Sequence, residues 1–405
     1  MKTRSLFITL LASLVLSHAN ASPADERKLA AANNSFAFKL LKQIAADEPV
    51  QNIFISPYSA SAALQMVANG AAGQTKSEMQ NVLGTSATGL ADVALNQASK
   101  DVSQSLLGGN PDVTLEIANA IWCRKDAAIK PDFLACNREY FGATIAPLDF
   151  ADPGSVDVIN QWASDKTHGH ISRFIDSVNP ENARLVLANA VYFKGKWADP
   201  FDPGTTYSES FHLGDGTQKT IRMMGKYATF SYRRGTGYQA VRLPYRGGNL
   251  AMYVFLPDIN SRPEKLLDLL TDDTWRQVTK PGFTNEFGDL RLPKFKLDYS
   301  VELMPPLQKL GMKAAFDPDK ADFSGISPEP LYISEALQKT FVEVKEEGTE
   351  AAAVTGIHMD TLGLPERPPT DFEMIVNRPF LFLIEDDTTG TILFMGIIYD
   401  PPADE

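Results

Sequence analysis

The run "LQKTFVEV", Leu337 to Val344, alternates in the period-two manner of a buried strand. It passes directly into "KEEGTEAAAVTG", Lys345 to Gly356, which carries almost no bulk. Then comes "IHMDTLGLPERPPTD", rich in turn and breaker residues. The fold must therefore accommodate a strand whose continuation has almost nothing to bury. If the alternation is continued, Thr349, Ala351, Ala353 and Thr355 share one face, all small. Glu350, Ala352, Val354 and Gly356 share the other. Such a segment can stay exposed as a loop. It can also slide between two strands without overpacking them, because it brings little volume and completes ladder hydrogen bonds. Gly348 supplies a permissive pivot. Read in isolation, the same letters favour a short helix capped by Thr349, with Ala351 to Ala353 as good helix formers.

The remaining pattern is mixed. Helical spacing runs through "ERKLAAANNSFAFKLLKQIAA", where Leu29, Phe36, Leu40 and Ile44 share a face. "NIFISP" is a short strand stopped by Pro57, and "YSASAALQMVANGA", Tyr58 to Ala71, is a helix dense in small residues. "VTLEIANAIW" and "RLVLANAVYF" read as strands, with a helix between them at "SVDVINQWASDKTHG". From Phe211 the chain turns mostly to strands, ending in "FLFLIED" and "TILFMGIIYDP" joined by a "DTTG" turn. There are no repeats and no linker. With 405 residues and 44% hydrophobic content, the chain can bury a sizeable core as one large α+β domain.

A net charge of −12 argues against nucleic acid or an anionic membrane surface as partner, since both favour clustered positive charge. The N-terminus reads as a secretory leader: "MKTR", an apolar run from Leu6 to Leu16, and small residues ending at Ala21. Cleavage there gives domains at 1–21, the signal peptide, and 22–405, the mature unit. The mature chain is expected to be extracellular, or periplasmic if its source is a Gram-negative bacterium. No later run is long and apolar enough for a transmembrane helix. Cys123 and Cys136 form a disulfide candidate, with two separate thiols as the alternative.

Catalytic signatures are missing. There is no GxSxG, HExxH, P-loop or GxGxxG pattern. "THGH", Thr167 to His170, reads as a helix end rather than a metal pair. Arg233, Arg234, Arg242 and Arg246, interleaved with tyrosines, read as solvated strand positions rather than a nucleic-acid face. No nucleophile, base and orienting group can be assembled, so the chain is not expected to be an enzyme, and no cofactor or metal is implied.

Several stretches together resemble the serpins. "EEGTEAAAVTG" is similar to the hinge of inhibitory members, and "MIVNRPFLFLI", Met374 to Ile384, is similar to the family signature. "NIFISPYSASAALQMVANGAAGQTKSEMQNVLG", "LVLANAVYFKGKWADPF", "LPKFKLDYSVELMPPLQKLGM" and "LFMGIIYDP" follow in family order and spacing. The resemblance spans Leu29 to Pro401.

The resemblance implies a single domain with a large central mixed sheet, two smaller sheets, eight to nine helices and an exposed reactive-centre loop at about 346–370. It implies a monomer that traps a target serine protease as a covalent acyl complex when the cleaved loop enters the main sheet. The hinge would comprise Glu346, Glu347, Gly348, Thr349, Glu350, Ala351, Ala352, Ala353, Val354 and Thr355. Counting Glu346 as the first residue, the seventeenth places the scissile bond at Leu362–Gly363, with Leu364 or Arg367 as alternatives. Leucine there implies chymotrypsin-, elastase- or subtilisin-like targets. Ser56 and Asn189 match the polar cluster where the sheet opens, with Gln338 where the family usually has histidine. Trp197 matches the tryptophan at the top of the sheet. The alternatives are a non-inhibitory carrier, storage or chaperone member, and a cross-class inhibitor of cysteine proteases.

Overall fold

A computed structural model describes residues 21–108, 110–349 and 369–402. Residues 1–20 of the expected leader, the expected scissile bond with its alternatives, and hinge positions 350–355 lie outside the described residues.

Helix α1 (Pro23–Asp47) starts where the Ser22 side chain caps it and Pro23 occupies the first turn. Its Leu29, Phe36, Leu40 and Ile44 are all buried, as their spacing predicts. Strand β1 (Ile53–Ile55) leads through the cap Ser56 into α2 (Pro57–Ala68), eleven of whose twelve residues are buried. The helix read as reaching Ala71 stops at Ala68, with Asn69 as its C-cap. Helices α3 (Gly73–Leu83), α4 (Asp92–Leu107), α5 (Pro131–Phe141) and α6 (Ser155–Lys166) follow. Three short helices come later: α7 (Pro263–Leu269), α8 (Asp272–Thr274) and α9 (Met304–Leu310).

Two sheets carry the strands. The smaller, mixed sheet runs β10 (Phe295–Glu302), β11 (Ile333–Lys345), β12 (Gly348–Thr349), β4 (Leu185–Lys196), β2 (Val113–Arg124) and β3 (Thr144–Leu148). The larger runs β1, β15 (Thr391–Ile398), β14 (Phe380–Asp386), β8 (Leu250–Pro257), β7 (Tyr238–Pro244), β6 (Gln218–Gly235), β9 (Thr284–Pro293) and β13 (Phe372–Ile375), with β5 (Tyr207–His212) on β6. Strand β6 is long enough to belong to two groups. It pairs with β5 and β9 along most of its length and with β7 only from Ser231 to Gly235. Hydrogen bonding through β6 therefore joins these strands into one nine-stranded sheet, where the resemblance implied two smaller ones.

Strands β14 and β15 are buried at every residue. Phe382 and Phe394 from this hairpin both stack on Phe54, at 5.6 and 5.2 Å. A second core lies under α6, where Trp162 meets Trp122 edge-on above the small residues Ala118, Ala120, Ala188 and Ala190.

The thiols of Cys123, buried in β2, and Cys136, half-buried on α5, are separate rather than a disulfide. Burial pushes the Cys123 thiol up to about 12, so it stays protonated and inert. "THGH" follows the end of α6, and its histidines go separate ways. His168 meets Glu116 at 3.3 Å, and His170 stacks on Tyr192 at 4.3 Å.

Candidate functional site at the open end of the mixed sheet

Most of β11 and β4 pair directly and in parallel, from Ile333↔Leu185 to Phe341↔Tyr192. Beyond Phe341 they diverge. After β11 the chain turns at Glu346 and Glu347 and comes back as β12, which fills the gap. Gly348 and Thr349 lie antiparallel to Lys345 and Val344 on one side and to Lys196 and Gly195 on the other. Thr349 is therefore extended and paired on both sides, as the strand reading has it, while the residues after it lie outside the described ones. Glycine is required at 348. A Cβ there would sit 2.1 Å from the Gly195 carbonyl oxygen and 2.6 Å from Lys196 Cα, both backbone atoms that cannot swing aside.

The turn is fastened by backbone and side chain alike. Trp197 N–H donates to Glu347 O and Phe201 N–H to Glu346 O, each at 2.9 Å. The Trp197 indole N–H donates to Lys345 O at 3.0 Å. Its ring stacks on Tyr245 at 4.7 Å. The Tyr245 hydroxyl meets Thr349 Oγ1 at 2.8 Å, with both residues fully buried. Glu346 is buried as well. Its carboxylate accepts from Thr206 Oγ1 at 2.7 Å and pairs with Lys294 at 3.1 Å. Burial raises its pKa, but Thr206, its own backbone and Lys294 outweigh burial and hold the carboxyl below the usual glutamate value.

Lower in the same sheet, Gln338, Asn189 and Asn119 stand in register on β11, β4 and β2. Gln338 Nε2 donates to Asn189 Oδ1 at 2.5 Å, and Asn189 Nδ2 donates to Asn119 Oδ1 at 2.6 Å and to Ser59 Oγ. The Gln338 amide also engages the Ser56 backbone twice. It accepts from Ser56 N–H and donates to Ser56 O, both at 2.9 Å. Ser56 Oγ donates to Leu393 O at 2.8 Å, tying the cluster to β15. An amide can donate and accept at once, so it bridges here without a titrating group.

The structure thus brings Ser56, Asn189 and Gln338 together across the seam between β11 and β4. Trp197 stands apart from them, with Glu346, Glu347, Gly348 and Thr349 at the open end. Sequence reasoning missed Asn119, Ser59, Tyr245, Thr206 and Lys294. Of the arginines read as strand positions, Arg233 and Arg234 lie on β6 and Arg242 on β7, while Arg246 lies in the turn after β7; Arg234 pairs with Asp258 at 3.0 Å and the part-buried Arg242 with Asp387.

The family model described as serpin (serine protease inhibitor) matches residues 31–401. The chain belongs to the serpin family. An uncharacterised serpin-like protein of Methanosarcina acetivorans is 34% identical, over 93% of this chain and 87% of that protein. Iripin-2 of Ixodes ricinus is 37% identical, over 98% of each chain. The native-state crystal structure of tengpin, a thermophilic serpin, superposes with a TM-score of 0.83 at 31% identity, covering 92% of this chain and 94% of tengpin. The serpins are a family of protease inhibitors, not enzymes in the usual sense.

Proposed function

We propose that this serpin is an irreversible suicide-substrate inhibitor of serine endopeptidases with a preference for leucine, of chymotrypsin, elastase or subtilisin type. A protease attacks Leu362–Gly363 and is held as an acyl-enzyme while the freed segment extends β12 down the sheet. The observation that carries this reading is β12 itself, two residues seated antiparallel between two strands that pair in parallel below it. Each further inserted residue exchanges a parallel ladder for two antiparallel ones, which are the more stable per residue. Thr349 faces the buried Tyr245, so in a continued strand Ala351, Ala353 and Thr355 would follow on that face, small enough to enter. Val354 falls on the other face. The polar ladder at Gln338 lies in the path of opening and must let go as the seam parts.

The test is incubation of secreted, leader-free protein with chymotrypsin, pancreatic elastase and subtilisin. An SDS-stable complex is expected, together with a released fragment whose sequence begins at Gly363. Thr349→Arg, which puts a charge where exposure is zero, should turn the protein into a plain substrate. Cleavage without complex formation by every protease, and no rise in thermal midpoint after cleavage, would favour a non-inhibitory carrier instead. A complex formed only with cysteine proteases would move the target class.

A further inference from the structure

On the larger sheet's side of the molecule lies a cleft of about 480 Å³, between the turn at 212–216, the loop at 259–263, and Asn377 to Pro379. That volume is in the range of small-molecule sites. In a chain of net charge −12, its lining includes Arg262, Arg378 and His212 and no carboxylate.

Arg378 is half-buried, and neutral oxygens take three of its N–H groups. Nε and Nη2 donate to Pro257 O at 2.9 and 2.7 Å, and Nη1 to Asn377 Oδ1 at 3.2 Å. A guanidinium has five N–H groups, so two are without a partner among the described residues. Among the described residues no carboxylate pairs with it. Asp258 influences it from a distance and is paired to Arg234 at 3.0 Å. A half-buried cation with only neutral partners is an uncompensated charge.

Tyr399 supplies a second, independent signal. The residue is 3% exposed, and its hydroxyl is buried without a hydrogen-bond partner among the described residues. Glu264 is the acceptor nearest in effect to this hydroxyl, acting on it through a loose side-chain hydrogen bond and its charge, although neither the hydroxyl nor Glu264 Oε2 has a partner in good hydrogen-bond geometry among the described residues. Burial, with Glu264 adding to it, keeps the phenol protonated and therefore able to donate. Asn260, Ser261 and Asn377 add neutral polar groups to the lining, and Val50, Leu213, Ile259, Pro263 and Pro379 give it an apolar side. Ile259 is 81% exposed, and the β-branched Val50 is held at φ 62°, a costly conformation for that side chain.

We propose that this cleft binds a small amphipathic carboxylate, its head group set against Arg378 and the Tyr399 hydroxyl with Arg262 at the rim, and its apolar body along Ile259, Leu213 and Val50. The ligand supplies the anion that Arg378 lacks among the described residues and a better-placed acceptor than Glu264 for Tyr399, and it covers the exposed isoleucine. The site is separate from the seam between β11 and β4, and the proposal goes beyond the inhibitory reading.

The experiment is calorimetric titration of the intact protein, without protease, using sodium decanoate and 1-decanol as probes. One saturable decanoate site is expected, with decanol bound at least about tenfold more weakly. Arg378→Gln should weaken decanoate binding by about tenfold, and Tyr399→Phe by about fivefold. Arg262→Ala, at the exposed rim, should cost about threefold. No saturable heat with decanoate overturns the proposal, as does decanol binding equally well. Wild-type affinity in both Tyr399→Phe and Arg262→Ala overturns it too, and loss in either supports it. Those two variants decide the matter if Arg378→Gln does not fold.

Discussion

Strand β10 lies between two glutamates, one buried and one half-buried, held in opposite ways. Just before it, Lys294 pairs with Glu346 of the turn at 3.1 Å, and the carboxyl stays below its usual range. At its far end, Glu302 Oε1 accepts backbone N–H bonds from Met304 and Ala336 at 3.0 and 3.1 Å. There burial outweighs both bonds, with Glu335 adding repulsion, and the carboxyl is pushed up to about 7. Glu302 has two backbone amides and no side-chain partner, whereas Glu346 has the Thr206 hydroxyl, one backbone amide and the Lys294 cation. The open end of the sheet is thus fastened by a charge that acid removes. The seam below it is fastened by amides that pH does not reach.

The largest effect is expected from reversing the charge at the open end. Glu346→Lys sets two cations together in a buried site and should cost about 3–5 kcal/mol, read from urea unfolding at pH 7. A loss under about 1 kcal/mol would mean that the pair does not hold the turn. Gly348→Ala attacks the same end through shape. With its Cβ 2.1 Å from the Gly195 oxygen, β12 must leave its slot, at about 1–3 kcal/mol. Thr349 would part from Tyr245, and Trp197 would lose its packed surroundings. The check is a red-shifted emission component that disappears in a Trp197→Phe background.

The seam should respond differently. Gln338→Ala leaves Ser56 N, Ser56 O and Asn189 Oδ1 without their shared partner and should cost about 2 kcal/mol. The cost should be the same at pH 5 and pH 8, because no titrating group is removed. Gln338→His should make it pH-dependent, since imidazole gains a charge on acidification. Thermal midpoints of both variants at the two pH values test the claim that this fastening is neutral.

These two fastenings differ in how far the sequence announces them. Strand β11 is legible in "LQKTFVEV", because a sheet with one buried face imposes period two on the chain. The two-residue β12 is not, since the same letters suit a capped helix. The slot that decides it is built by Gly195 and Lys196, far away in the chain. Ser56, Asn189 and Gln338 come from the family resemblance alone, as no local pattern links position 56 to 338. Tyr245 and Thr206 lie 104 and 140 residues from their partners and look like ordinary strand and loop residues. Strand β6 shows a further limit of pattern reading. Its first three residues, Gln218 to Thr220, are exposed or half-exposed, so no buried side chain marks where the strand begins ahead of "KYATFSYRR".

The finest test of the opposition is a pH profile of unfolding free energy. The folded pKa of Glu346 lies below its ordinary 4.5, so its contribution is present above 4.5 and is lost as pH falls through the folded value. Glu302 has the opposite sign. Its folded pKa of about 7 exceeds the ordinary 4.5, so the native state holds the proton better, and stability declines as pH rises from 4.5 through 7. Glu302→Gln keeps the oxygen that receives Met304 and Ala336 and removes the charge. It should gain about 2 kcal/mol or less at pH 8 and nothing at pH 4. The acid limb should survive in that variant, because Glu346 is untouched. An alkaline limb that also survives would show that Glu302 is not the group that weakens the sheet there.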